Sequence, residues 1–290
     1  MTEDHLRFVI SLHPVVSDTR VSEPANRAVR LRMSSEPGRG ASTAPFTQRK
    51  CKLSLRRRTF LTRIAEAGAD LGISADAEIP TKRGLVPLGD ISLTDRLITW
   101  SGYQRLTCCR PETLSPADLE MFPELRPIRL PSSLLGNPRA TRTLGLKTVK
   151  SYVLVSPGTQ ILVDSDLIHE LTGYRKVFIT ARSLLSLEGV SVETSCRKVT
   201  YVQPITRAQE IFNSAGFRIA TPLDEETLQL LLFGAKYQHA KLRLERERES
   251  MSEAFLASLA PTLSPRTAES VIRAHQERKI PLLRPGTPSC

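Results

Sequence analysis

Short apolar runs rich in β-branched residues fill the middle third of the chain: Leu97–Trp100, Ile128–Leu130, Tyr152–Val155, Ile161–Val163, Val177–Thr180 and Val199–Val202. Clusters of turn-forming residues separate them, among them Ser101-Gly102, Gly136-Asn137-Pro138 and Ser156-Pro157-Gly158. Many short strands at this spacing predict an all-β unit. The period changes on both sides of it. Phe60, Ile64 and Ala67 fall at helical spacings and predict one short basic helix leading into the folded part. After Thr221 the helical period returns. Thr221, Pro222 and Asp224 supply a capping hydroxyl, a first-turn proline and a first-turn acid. Leu228, Leu231, Leu232, Ala235 and Leu242 then form an apolar stripe that needs a surface to dock on. Arg243 to Glu249 alternates in charge, as a solvated helix face does, with Arg243 placed to pair with Glu247. Ser264-Pro265 opens a further helix carrying Val271 and Ile272.

The front of the chain has no such period. From Ser17 to Thr47 it is dominated by Ser, Pro, Gly, Ala and Arg, which predicts an unpacked arm. The expected organisation is a disordered basic arm over 1–53, a short helix over 54–70, a β domain over 71–222, and a helical C-terminal extension with its tail over 223–290. The fold class is mainly β.

Composition narrows the function without supplying it. The chain has 290 residues, 40 % of them hydrophobic and 24 % charged, which is ordinary globular usage. Net charge is +11, and the first sixty residues carry twelve basic side chains against five acidic ones. That asymmetry fits a solvated tail, or an arm that binds a polyanion. A protein partner through the C-terminal helix is the other interaction the pattern allows. No apolar run reaches the ~18 residues of a membrane span. Aromatic residues are only 5 %, against a reader built on stacked bases. Five scattered cysteines do not make a disulfide scaffold. His13, Pro14 and Asp18 interrupt the apolar start, so no export signal is read and a cytoplasmic location is the default, with leaderless secretion leaving no mark.

Four segments of the β region, in order, resemble a known family. The first reads Ile79-Pro80-Thr81-Lys82-Arg83-Gly84, then Asp90-Ile91 and Asp95-Arg96-Leu97-Ile98-Thr99. The second is Ile128 to Gly136, and the third runs from Val155-Ser156-Pro157-Gly158-Thr159 to Ile168. The last is Val199-Thr200-Tyr201-Val202 with Gln209-Glu210-Ile211-Phe212 and Gly216. Together they are similar to the bacterial Hint (hedgehog/intein) domain over about half the chain. The resemblance implies a Hint-like all-β fold and an autocatalytic reaction. A Cys thiol attacks the peptide carbonyl before it and forms a thioester. A His protonates the departing nitrogen, and oriented donors hold the oxyanion.

The residues that this chemistry needs are not at the matching positions. Counting back from Thr81 puts the nucleophile position at Gly72, within about two residues. Thr159 stands at the motif histidine and Gln209 at the late histidine. A threonine hydroxyl does not titrate near neutrality and cannot replace imidazole. Ser74 is two residues off register and lacks a base; with Thr81, Asp95 and Ser156 it marks any residual site. Elsewhere, Cys108-Cys109 lacks the spacing of a zinc site. His169-Glu170 is expected on a connection, and Asp164 with Asp166 on one face of a strand beside a turn. No metal, cofactor or phosphate loop is expected. The leading expectation is a Hint-like module, not an enzyme, that binds or supports other parts after losing self-processing. Two alternatives are carried: a self-cleaving protein with a divergent nucleophile, and a basic nucleic-acid-associated protein.

Overall fold

The computed structural model describes residues 54–135, 151–222, 228–229, 231–232, 237–249, 251 and 258–283. The arm expected over 1–53, the Gly136-Asn137-Pro138 turn and Ala235 lie outside the described residues.

The chain enters with helix α1 (Leu55–Ala67), capped by the Ser54 hydroxyl and ended by Gly68. Short strands follow: β1 (Ile73–Ser74), β2 (Glu78–Thr81), β3 (Gly84–Pro87), β4 (Arg96–Thr99), β5 (Gly102–Arg105) and β6 (Cys108–Leu114). Helix α2 (Pro116–Met121) starts at a capping box between Ser115 and Asp118. Next come β7 (Ile128–Pro131), β8 (Tyr152–Val155), β9 (Gln160–Asp164), the short helix α3 (Asp166–Thr172), β10 (Lys176–Thr180), β11 (Ser191–Val192), β12 (Val199–Ile205), β13 (Ile211–Ser214) and β14 (Phe217–Ala220). Two helices close the described chain, α4 (Gln238–Glu249) and α5 (Pro265–Glu277), the latter capped by Ser264.

The strands form two antiparallel sheets. One has the order β11-β7-β8-β1-β12-β6, and the other β10-β9-β14-β13-β4-β2-β3 with β5 paired to β4. The main core lies between them: Ile73, Val155 and Val202 meet Ile79, Leu97, Ile161 and Phe217. Helix α5 adds Ala268, Val271 and Ile272 to that core. Helix α1 belongs to a second cluster, in which Leu61, Ile64 and Leu71 pack on Leu114, Leu119 and Tyr201. Its Arg57 reaches the buried Asp118 at 2.8 Å and Glu112 at 2.9 Å. The stretch just before β1 is therefore part of a core.

Three expectations are corrected. Leu242 is 44 % exposed, and its neighbour Leu244 faces Cys108, Ile205, Leu228 and Leu232 instead. Two leucines two residues apart cannot both lie on one helical face, so the docked face is the Leu244 one. His169 and Glu170 lie within α3, where Ser165 caps the helix by accepting from the Ile168 N–H. Asp164 ends β9 and Asp166 opens α3, so they do not share a strand face. The helix start read at Thr221 falls on 223–227, outside the described residues; the Thr221 hydroxyl accepts from the Glu210 N–H.

Candidate functional site

The chain crosses from one sheet to the other between β8 and β9, through the turn Ser156 to Thr159. The segment 68–72, which leads from α1 into β1, threads directly past that turn. Two glycines permit the close approach. A Cβ on Gly158 would overlap the Gly68 carbonyl oxygen and stand 2.7 Å from that of Ala69. A Cβ on Gly72 would overlap the Val202 carbonyl oxygen and stand 2.5 Å from Gln203 Oε1. Gly72 also has φ +92°, a conformation that L side chains rarely adopt.

At the centre is Asp70, a carboxylate buried to 7 % exposure. Its Oδ1 accepts from the Gly72 N–H at 2.7 Å, the Thr159 hydroxyl at 2.8 Å and the Ser156 hydroxyl at 3.1 Å. Its Oδ2 accepts from Gln203 Nε2 at 3.1 Å. Thr159 Oγ1 also lies 3.0 Å from the Gly72 carbonyl, and the Ser156 hydroxyl accepts from the Leu71 N–H at 2.9 Å. The Ser156 N–H donates to the Gly72 carbonyl at 2.8 Å. Burial pushes the Asp70 carboxyl above its ordinary pKa, and the four donors pull in the opposite direction without cancelling it.

Of the residues singled out from the sequence, Gly72, Thr159 and Ser156 come together here. Gln209 does not join them. Its Oε1 accepts from the Leu259 N–H at 3.0 Å and the Ser258 hydroxyl at 3.1 Å, and its Nε2 reaches Gln160 at 3.5 Å. It thereby holds the segment that leads into α5. Ser74 is buried on β1 opposite Tyr201 and takes no part in the hydrogen bonds around Asp70. Thr81 closes the β2–β3 hairpin by donating to the Gly84 carbonyl at 2.8 Å. Asp95 pairs with Arg83 at 2.7 Å on the surface, which with the Ser92 N–H lowers its pKa to about 2. Cys109 is packed against the main core, where burial raises its thiol pKa to about 12. Among the described residues, no three His, Cys, Asp or Glu side chains are grouped to hold a metal ion, and no helix is long and apolar enough to cross a membrane.

Sequence reasoning missed Asp70 and Gln203. The signal for both was a lone polar residue inside an apolar stretch, Ala69-Asp70-Leu71 and Tyr201-Val202-Gln203-Pro204-Ile205. Buried polar groups need partners, so such a pair predicts a hydrogen bond between them.

A model of the Hint domain family matches residues 72–225. No curated protein and no solved structure matches the chain.

Proposed function

The chain belongs to the Hint domain family, and on that footing we propose that it is a Hint domain without self-processing activity, retained as a binding or structural module. Gly72 and Thr159 are read as the family's nucleophile and first histidine positions, and the matched stretch begins at Gly72; Gln209, read for the late histidine, stands apart from them and holds Ser258 and Leu259. One observation carries the reading: the backbone at Gly72 is closed on by the Val202 carbonyl and the Gln203 side chain, so no nucleophilic side chain fits there. Two further features support it. The carbonyl that a nucleophile would attack belongs to Leu71, whose side chain is buried beside α1. The hydroxyls of Ser156 and Thr159 hold Asp70 and have no histidine beside them among their hydrogen-bond partners. Residues 71–222 are assigned to the Hint unit and 223–290 to its extension, whose helix α5 completes the core.

The alternative of a divergent nucleophile rests on Ser74, which is buried opposite Tyr201. A working serine would pass through an ester, and hydroxylamine cleaves esters. Treating wild-type protein and Ser74→Ala with hydroxylamine at alkaline pH, where oxygen esters are cleaved, tests the proposal. The expected result is no fragment from either. A hydroxylamine-dependent fragment that disappears in Ser74→Ala would overturn it.

A further inference from the structure

Away from the Asp70 cluster, the β4–β5 hairpin and helix α4 enclose a polar cleft of about 360 Å³. Arg96, Arg105, Arg207 and Arg243 line it, with Tyr103 and a single carboxylate, Glu247. The strand register explains the convergence. Arg96 is directly opposite Arg105, and Ile98 opposite Tyr103, so both arginines and the tyrosine share one face of the hairpin. Arg243 and Glu247 stand one turn apart on α4, whose position is fixed by Leu244 in its apolar cluster.

Like charges directly across a strand pair destabilise it. The arrangement is nevertheless not neutralised. Asp95, the acid next to Arg96 in sequence, is taken by Arg83 at 2.7 Å. Glu247 accepts from Arg243 at 2.8 Å and from the Thr107 hydroxyl at 3.0 Å. Among the described residues, neither Arg96 nor Arg105 forms an ion pair with a carboxylate. With Arg243 held by Glu247, Arg96 and Arg105 leave the cleft positive, and guanidinium forks match phosphate oxygens. The Tyr103 side chain, 59 % exposed on the same face, offers a ring for a base to stack on.

We propose that this cleft binds a nucleotide phosphate, free or within a single strand, with the arginines on the phosphates and Tyr103 against the base. The site is independent of whether the domain processes itself.

Binding of ADP by the full chain, followed by calorimetry, and of a fluorescein-labelled dT12 strand, followed by anisotropy, tests this. The variants are Arg96→Gln/Arg105→Gln and Tyr103→Ala. The double variant is expected to weaken at least one probe tenfold or more without lowering the melting temperature, because a repulsive pair has been removed. For dT12, the slope of affinity against salt should also become shallower by about one to two. Tyr103→Ala should weaken the same probe severalfold and leave inorganic pyrophosphate unaffected. Loss of ADP binding alone identifies a free nucleotide; loss of dT12 binding alone, or of both, identifies nucleotide phosphate within a strand as a ligand. Unchanged affinity in the double variant would overturn the proposal. So would absence of binding to either probe, loss of binding only when the basic residues before Arg49 are neutralised, or equal binding of poly-glutamate through the same arginines.

Discussion

At the scale of single residues, two glycines and one buried acid decide what the site can do. Gly72 combines a positive φ with no room for a Cβ. Gly72→Cys, which places a thiol at the position read as the family nucleophile, should therefore cost about 2–4 kcal/mol from overpacking and backbone strain. Urea unfolding measures this, and a loss below about 0.5 kcal/mol, the size of an ordinary surface change, would mean that the site is more open than described. Asp70 predicts a pH dependence. Its folded pKa lies above the unfolded value, so the native state keeps a proton that the unfolded chain releases above about pH 4. Stability should fall as pH rises from there through the folded pKa, then level off. Asp70→Asn, with the Gln203 amide turned to meet it, should flatten that slope; a stability difference between variant and wild type that is constant from pH 4 to 8 would contradict it. Ser156 and Thr159 were legible because they lie in the segment that resembles the family's histidine motif. Asp70 was not, because its role arises from chain threading that no local pattern encodes.

At the scale of elements, the periods in the sequence carried most of the information. The six β-branched runs each form a strand, and Ser54 and Ser264 cap the helices expected after them. The misreading of Leu242 has a physical cause. Helix α4 is so rich in charge that its only fully buried residue is Leu244, and one buried residue does not make a stripe. The consequence is testable by thermal melting. Leu244→Ala should cost about 2–4 kcal/mol through the cavity it leaves, whereas Leu242→Ala, at an exposed position, should change stability by no more than about 0.5 kcal/mol. Equal effects would show that the wrong face has been docked. The role of Gln209 in holding Ser258 and Leu259 was equally invisible from the sequence, since it depends on a contact between segments about 50 residues apart.

At the scale of the whole molecule, the β domain is built into its flanks. Leu71 shares a core with α1, and Val271 and Ile272 of α5 complete the core between the sheets. A self-cleaving protein releases the chain before its nucleophile, whereas here that chain is an anchored helix tied by Arg57 to Asp118. Uncatalysed peptide bonds persist unless the barrier falls by about 8–23 kcal/mol. On the proposed reading neither a thiol nor an imidazole stands at the matching positions, and the positioning and oxyanion donors that remain supply far less than that. The most direct test is the intact mass of the purified full-length chain, followed over several days with and without dithiothreitol. One species at the full-length 32.2 kDa throughout is the predicted result. A thiol-dependent fragment beginning between Gly72 and Ser74 would contradict it and identify a domain that still processes itself.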